Sequence, residues 1–175
     1  MYLFNAQAFY RHIRLLLPLM SALLITGCGF HLKHNNGLTE KFPEIYLQTN
    51  APMGELARAV KLRLRGANIK ILTQENPNAA VLKLGSEKRS SRTISLYANA
   101  LNAEKEIGYV LNYSLKMPNY TAKDFTVNIY RDFLDDSTEA LAKSRETELI
   151  TKELRDIAAD HIISSMLSMK NEAVE

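Results

Sequence analysis

The apolar positions of this chain change their spacing several times, and each change marks an element. They crowd together from Leu15 to Ile25, broken only by Pro18 and Ser21. Ile45 and Leu47 then alternate with polar neighbours, which predicts a short strand from Glu44 to Gln48. Leu56, Ala59, Val60 and Leu64 recur at three- and four-residue steps, the period of a helix lying on a sheet. Asn50 is its expected N-cap and Pro52 suits its first turn. It is expected to run to about Arg65 with Gly66 past its end, and Arg58, Lys61 and Arg65 line another face. A second strand, Ile69 to Leu72, completes a strand–helix–strand unit, for which a right-handed crossover is the rule.

After a turn region from Gln74 to Asn78 the period becomes two. Leu82 and Leu84 alternate, and so do Ile94, Leu96 and Ala98. The polar stretch between them, Glu87 to Arg92, reads as a solvated bend in one long strand. A loop near Asn99–Ala103 leads into the clearest strand. Ile107, Tyr109, Leu111, Tyr113, Leu115 and Met117 share one face, and Gly108, Asn112, Ser114 and Lys116 share the other. Pro118-Asn119 makes a turn, and Phe125, Val127 and Ile129 alternate against Thr126, Asn128 and Tyr130. A long final helix carries the stripe Ile150, Leu154, Ile157, Ala158, Ile162, Met166 and Met169, opposite Lys152, Arg155, Asp156 and Asp160. Asp136 or Ser137 is its expected cap, with Glu139 in the first turn. One-sided strands need helices to cover them. The expected fold is therefore an α/β (α+β) two-layer sandwich, a mostly antiparallel sheet of about four strands with two helices on one face.

The apolar run near the start has a different destiny. Arg11, His12 and Arg14 precede it, no acidic residue occurs in the first 27 positions, and Thr26-Gly27 lead to Cys28, the single cysteine. A basic start, a short apolar core and small residues before a cut describe a secretory signal peptide. The run is about half of the roughly 20 apolar residues that a spanning helix needs. Ending at Gly27-Cys28, it resembles the lipobox of bacterial lipoproteins. There the cysteine thiol takes an S-diacylglycerol, the signal is cut before the cysteine, and the new amine is acylated. Gly29, rather than aspartate, follows, which in enterobacterial-type lipoproteins accompanies sorting to the outer membrane. The expected organisation is a signal peptide at 1–27, a tether at 28–42, one domain at 43–170 and a tail at 171–175.

Removing residues 1–27 from the 175 leaves 148, enough for one domain with a real core. Two of the 22 basic residues, Arg11 and Arg14, leave with the signal. The remaining 20 face 19 acidic residues, so no nucleic-acid partner is expected and any cationic function must come from local clustering.

Catalytic chemistry has few candidates. His31 and His34 lie in the expected tether, two potential ligands without support, so no metal is expected. His161 falls on the helical stripe and is expected as a packed, hydrogen-bonded core histidine. Asp135-Asp136 and Glu146 with Glu148 pair carboxylates in polar surroundings, and there is no glycine-rich phosphate loop or HExxH. No enzyme activity and no cofactor are expected, apart from the lipid on Cys28. The basic groups are the better candidates for a ligand. Lys88, Arg89 and Arg92 lie beside the long strands, and Lys143 sits in the first turns of the last helix with Arg145 nearby. Edge protection also accounts for the first three, and an i,i+3 pair with Glu146 for Lys143.

Several segments, in order, resemble the lipopolysaccharide-assembly lipoprotein family LptE (also called RlpB). They are Cys28-Gly29-Phe30-His31-Leu32-Lys33; Leu56-Ala57-Arg58-Ala59-Val60-Lys61 leading to Leu64; and Arg131-Asp132-Phe133-Leu134-Asp135-Asp136 followed by Ala140-Leu141-Ala142-Lys143. The match continues through Glu146, Ile150, Lys152-Glu153, Ala158-Ala159 and Ile162. Lys143 matches the family's lysine. The family's hairpin arginine, implicated in lipopolysaccharide binding, has no counterpart in Ser95-Leu96-Tyr97-Ala98-Asn99. The resemblance implies an outer-membrane lipoprotein that plugs the lumen of the β-barrel LptD from the periplasmic face and helps to assemble lipopolysaccharide in the outer leaflet. It also implies lipopolysaccharide binding, with Lys143, Lys88, Arg89 and Arg92 as candidate contacts. The alternative is an unrelated outer-membrane lipoprotein acting as a ligand-binding or inhibitor module.

Overall fold

The computed structural model describes residues 36–169. Cys28, His31, His34, the signal, the first part of the tether and the tail lie outside them. The order is α1 (Asn36–Lys41), β1 (Glu44–Thr49), α2 (Glu55–Gly66), β2 (Lys70–Leu72), β3 (Ala80–Leu96), β4 (Asn102–Lys116), β5 (Lys123–Leu134), a 3-10 turn (Ser137–Glu139) and α3 (Ala140–Ser168). The sheet has five strands in the order β2-β1-β3-β4-β5. It is mixed: β1 pairs in parallel with both β2 and β3, while β3, β4 and β5 form a long antiparallel meander. The two-layer α/β architecture is as expected, with five strands rather than about four.

Alternation along β4 builds the core. Ile107, Tyr109, Leu111, Tyr113, Leu115 and Met117 are all buried and meet Leu56, Val60 and Leu64 of α2 and Leu154, Ala158, Ile162 and Met166 of α3. Tyr113 stacks on Phe125 of β5 with ring centroids 5.2 Å apart. Arg63 of α2 donates to Asp156 (3.2 Å) and Asp160 (3.1 Å) of α3, which fixes the two helices side by side. Among the described residues, no helix covers the opposite face of the meander. Lys88, Ser90, Arg92, Asn112, Thr126, Asn128 and Tyr130 stand on it, all exposed.

Four local expectations are corrected. Residues 36–42, assigned to the tether, form α1 and the start of the core: Leu38 and Phe42 are fully buried, and the Lys41 ammonium donates to the carbonyls of Leu167 and Met169. Buried apolar surface outweighs the polar composition there. Asn50 does not cap α2. The helix starts five residues later, after a turn closed by Gly54 N–H to Ala51 O, with no side-chain cap. The left-handed residue after α2 is Asn68 (φ 58°), not Gly66. His161 is exposed, because the stripe turns with the 3.6-residue period and buries Ala158, Ile162 and Met166 instead.

A bulge in β3 has the widest consequence. Leu84 pairs with Tyr113 and Glu87 with Leu111, so two residues, Gly85 and Ser86, stand opposite Asn112 alone. A Cβ on Gly85 would sit 2.6 Å from the Asn112 carbonyl oxygen, so the close approach requires glycine. The extra residue reverses the alternation. Even positions face the helices before the bulge, and odd positions face them from Glu87 to Thr93, after which further register shifts at Ser95 and Leu96 change the pairing again. Ile94 and Leu96, expected to continue the face of Leu82 and Leu84, are exposed at 41% and 60%.

Candidate functional site

The end of the sheet at the β3–β4 hairpin gathers charge and exposed apolar surface. β5 finishes at Leu134, and the Asp135 N–H donates to the Ala103 carbonyl (3.0 Å), which holds the chain against β4 as it leaves the sheet. Asp136 then caps the 3-10 turn. Its Oδ1 accepts from the Thr138 N–H (2.9 Å) and hydroxyl (2.7 Å). Those bonds hold its carboxyl below the ordinary value, with a smaller contribution from the charge of Lys143. The turn feeds directly into α3, but Asp136 caps the turn and not the long helix as expected: α3 starts at Ala140 with no side-chain cap, and Glu139 lies before it rather than in its first turn.

One turn into α3, the Lys143 ammonium lies 2.8 Å from Glu146 Oε2, with its side chain only 19% exposed. The Glu146 bond raises its pKa most, desolvation opposes, and the charges of Glu146, Glu139 and Asp136 add to the rise. A second lysine, Lys105 of β4, pairs with Asp135 at 2.7 Å. The Asp135 carboxyl is lowered first by that bond, then by the charge of Lys105, by Asn102 and by the charge of Lys143, against desolvation. Asp135 thus senses both lysines. Exposed apolar side chains occur at nearby chain positions: Leu96 and Tyr97 in the hairpin, Leu101 before Asn102, Leu134 before Asp135, and Leu141 two residues before Lys143.

The three strand cations do not join Lys143. The row Thr93–Lys105–Phe133 faces the helices, whereas the next row, Arg92–Glu106–Asp132, faces the opposite side. Arg92 is engaged there in a two-bond fork with Glu106 (2.7 and 3.3 Å), which raises its pKa. Lys88 stands on the same helix-free face, opposite Val110. Arg89, one residue on, pairs with Tyr109 on the helix side. It lines a cavity of about 320 Å³ with Glu87, Gly85, Asn50 and the start of α2. The bulge and ordinary alternation separate what the linear sequence groups.

Two further features escaped the sequence. Lys105 carried a usable signal, since it shares the odd-numbered face of Ile107 and Tyr109 and so had to point toward α3. Arg155 did not: expected on a solvated helix face, its side chain is 15% exposed. Its Nε donates to Glu87 Oε2 (2.7 Å) and its Nη1 to Glu55. Burial pulls its pKa down, but Glu87 and Glu55 outweigh that and leave it raised. Beneath it the Tyr109 hydroxyl is buried with no hydrogen-bond partner among the described residues, and its pKa is pushed up chiefly by desolvation. Among the described residues there is no group of three or more His, Asp or Glu side chains arranged to hold a metal ion.

Comparison with known proteins agrees with this architecture. The family described as "LptE: Lipopolysaccharide-assembly" matches residues 42–166. The LPS-assembly lipoprotein LptE of Photorhabdus laumondii is 33% identical over 162 residues, covering 92% of this chain and 89% of that protein. The LPS-assembly lipoprotein LptE of Yersinia enterocolitica is 30% identical over 159 residues, covering 90% and 77%. Among solved structures, the rare lipoprotein B from Shewanella oneidensis superimposes with a TM-score of 0.68 at 40% identity, covering 71% of this chain and 94% of that one. A lipoprotein B from Nitrosomonas europaea shares the fold at 18% identity and a TM-score of 0.60, covering 77% and 88%.

Proposed function

The chain belongs to the LptE lipopolysaccharide-assembly family, and from that premise we propose that it is the plug and assembly partner of the outer-membrane barrel LptD and binds lipopolysaccharide through Lys143. The observation that carries the plug reading is the uncovered face of the β3–β4–β5 meander. An exposed sheet face of this length, bearing Ser90, Asn112, Thr126, Asn128 and Tyr130, suits a hydrophilic wall to which it can hydrogen-bond. Its apolar content is too low for a second core, and the helices already fill the other face. A docking role also fits the chemistry of the site. Three of the carboxylates beside Lys143 are already engaged, Asp135 and Glu146 by lysines and Asp136 as the cap, which disfavours them as general bases.

Anchoring in this reading comes from Cys28. Acylation of its thiol and of the new amine would place three chains on one residue. Each buried methylene contributes about 0.8 kcal/mol, and a single chain holds only marginally. No helix among the described residues is long and apolar enough to cross a membrane. The lipid would set the protein at the periplasmic face of the outer membrane, within reach of the barrel mouth.

The test is purification of the full chain from native outer membranes by gentle extraction. A large β-barrel should accompany it in near-equal amount. Recovery alone would overturn the plug reading and favour the independent ligand-binding or inhibitor module. Mass spectrometry of the same sample should find the N-terminal cysteine carrying its lipid, and an unmodified terminus would remove the anchor.

A further inference from the structure

We propose that the outward stripe of α2, made of Arg58, Lys61, Leu62 and Arg65, docks on an anionic phospholipid bilayer and lays the lipid-anchored domain on its α2 flank. This goes beyond the barrel reading and shares with it only the acylated Cys28.

The helical period puts the four residues together. Leu56, Val60 and Leu64 are buried in the core, and Arg63 turns to α3. Arg58, Lys61, Leu62 and Arg65, spaced by three and four, are left on the side away from the sheet. Arg58 and Arg65 are exposed, and Leu62 is 69% exposed. Lys61 is half-buried, and its ammonium donates to the Pro52 carbonyl (2.9 Å). None of the three cations makes an ion pair among the described residues. The nearby acids are engaged by other arginines: Asp156 and Asp160 by Arg63, and Glu55 by Arg155. A cavity of about 280 Å³ between α2 and α3, lined by Arg58 and Leu62, brings in Lys152 as a further cation. An exposed leucine among cations on one helix face is the pattern of helices that lie in a membrane interface. The apolar side chain enters the headgroup boundary and the cations meet the lipid phosphates.

The place where the chain enters the domain selects the partner. The Thr39 hydroxyl of α1 donates to the Ala67 carbonyl (2.6 Å), directly after α2, so α1 lies against the end of α2 that bears Arg65. Cys28 precedes Asn36, the first residue of α1, by eight residues, which extend to at most about 29 Å. From Arg65 to Arg58 the stripe covers only about 10 Å of helix. Acyl chains on Cys28 therefore hold the whole stripe within reach of the bilayer that contains them. Tethering of this kind makes a weak attraction effective, and a few cations suffice to orient what the lipid already anchors.

The decisive experiment reconstitutes the lipidated full chain into vesicles without the barrel. Its one native cysteine is consumed by the lipid, so Leu62→Cys offers a single thiol for an apolar, environment-sensitive dye. Nitroxide lipids labelled near the headgroup should quench that dye in vesicles of phosphatidylethanolamine with roughly a third phosphatidylglycerol, and far less in pure phosphatidylcholine. A dye at Asn128→Cys, on the face away from the helices, should stay unquenched in both. Each Lys or Arg near such a surface changes the docked-to-free ratio by roughly fivefold, so Arg58→Gln with Arg65→Gln should cut it by at least roughly tenfold. Arg58→Lys with Arg65→Lys should dock as the parent does. Raising salt to about 1 M, where screening acts within about 3 Å, should release the parent chain without any substitution. A chain that floats with both vesicle types yet leaves position 62 in water would overturn this proposal alone. So would quenching that ignores lipid charge and salt, or shielding of the dye only in native outer-membrane fragments, which would give the stripe a protein partner. A chain that floats with neither would overturn the anchor at Cys28 as well.

Discussion

Arg155 joins three elements at once, and its removal is the sharpest test of how the helical layer is held on the sheet. Its guanidinium bridges Glu87, next to the β3 bulge, and Glu55, in the first turn of α2, while the rest of the side chain packs in α3. Replacement by methionine keeps much of the aliphatic volume and deletes both bonds. A hydrogen bond to a charged group contributes roughly 1.5–3 kcal/mol. The Glu87 bond falls in that range because both side chains are largely covered, at 15% and 24% exposure. The Glu55 carboxylate is 56% exposed, so its bond is screened and adds at most about 1 kcal/mol. Arg155→Met is therefore expected to cost about 2–3 kcal/mol. At roughly 3–5 °C per kcal/mol for a domain of this size, Tm should fall by about 6–15 °C. Thermal denaturation by circular dichroism measures it directly. Combining Arg155→Met with Glu87→Ala should give less than the sum of the separate losses, by about 1–2 kcal/mol. A fall of under about 2 °C, or strictly additive losses, would show that apolar packing alone seats α3 and that the bridge is incidental.

Gly85→Ala should cost about 1–3 kcal/mol in chemical denaturation, since the new methyl meets a backbone carbonyl that cannot yield. Gly108→Ala should cost less, because its nearest obstacle is the movable Ser90 hydroxyl; the reverse order would discredit the bulge geometry. The Asp136 cap is pH-dependent: its folded pKa is lowered from 3.8, so its stabilisation is full above that value and is lost as pH falls below it. Asp136→Asn should accordingly lower Tm at neutral pH and lose that difference as pH falls through the lowered folded value, whereas a constant difference would mean that charge plays no part in the cap. Lys143→Asp should reduce lipopolysaccharide binding at least roughly tenfold while barrel co-purification persists, and undiminished binding would remove Lys143 from the site.

The antiparallel half of the sheet and the long final helix were legible because both report a single periodicity over many residues. Six alternating apolar residues in β4 and the Leu154–Ala158–Ile162–Met166 stripe in α3 each admit one burial pattern, and each is buried as read. The Asp136 cap was legible only in part: it holds Thr138 two positions away, but in a 3-10 turn that the sequence did not separate from the long helix, whose own start has no side-chain cap. Shorter signals failed where a few tertiary contacts outweighed them. α1 is too short to show a period, yet Leu38 and Phe42 anchor it on the core. The start of α2 moved past Asn50 because a backbone turn at Gly54 served in place of a side-chain cap.

Composition and hydrophobic period by themselves determined the α/β class, and the single cysteine led to the expectation of a lipoprotein-type leader ahead of one domain. Only the tertiary structure decided which charges meet. A side chain's face depends on an unbroken count of two along its strand, and the Gly85–Ser86 bulge breaks that count in a way visible only in the pairing with Asn112. The bulge thereby put Lys88 and Arg92 on the face away from the helices and Arg89 on the helix side. Lys105 and Asp135, thirty residues apart in the chain, were brought to within 2.7 Å. Local physics reads along the chain, whereas a charge cluster is a property of distances across it.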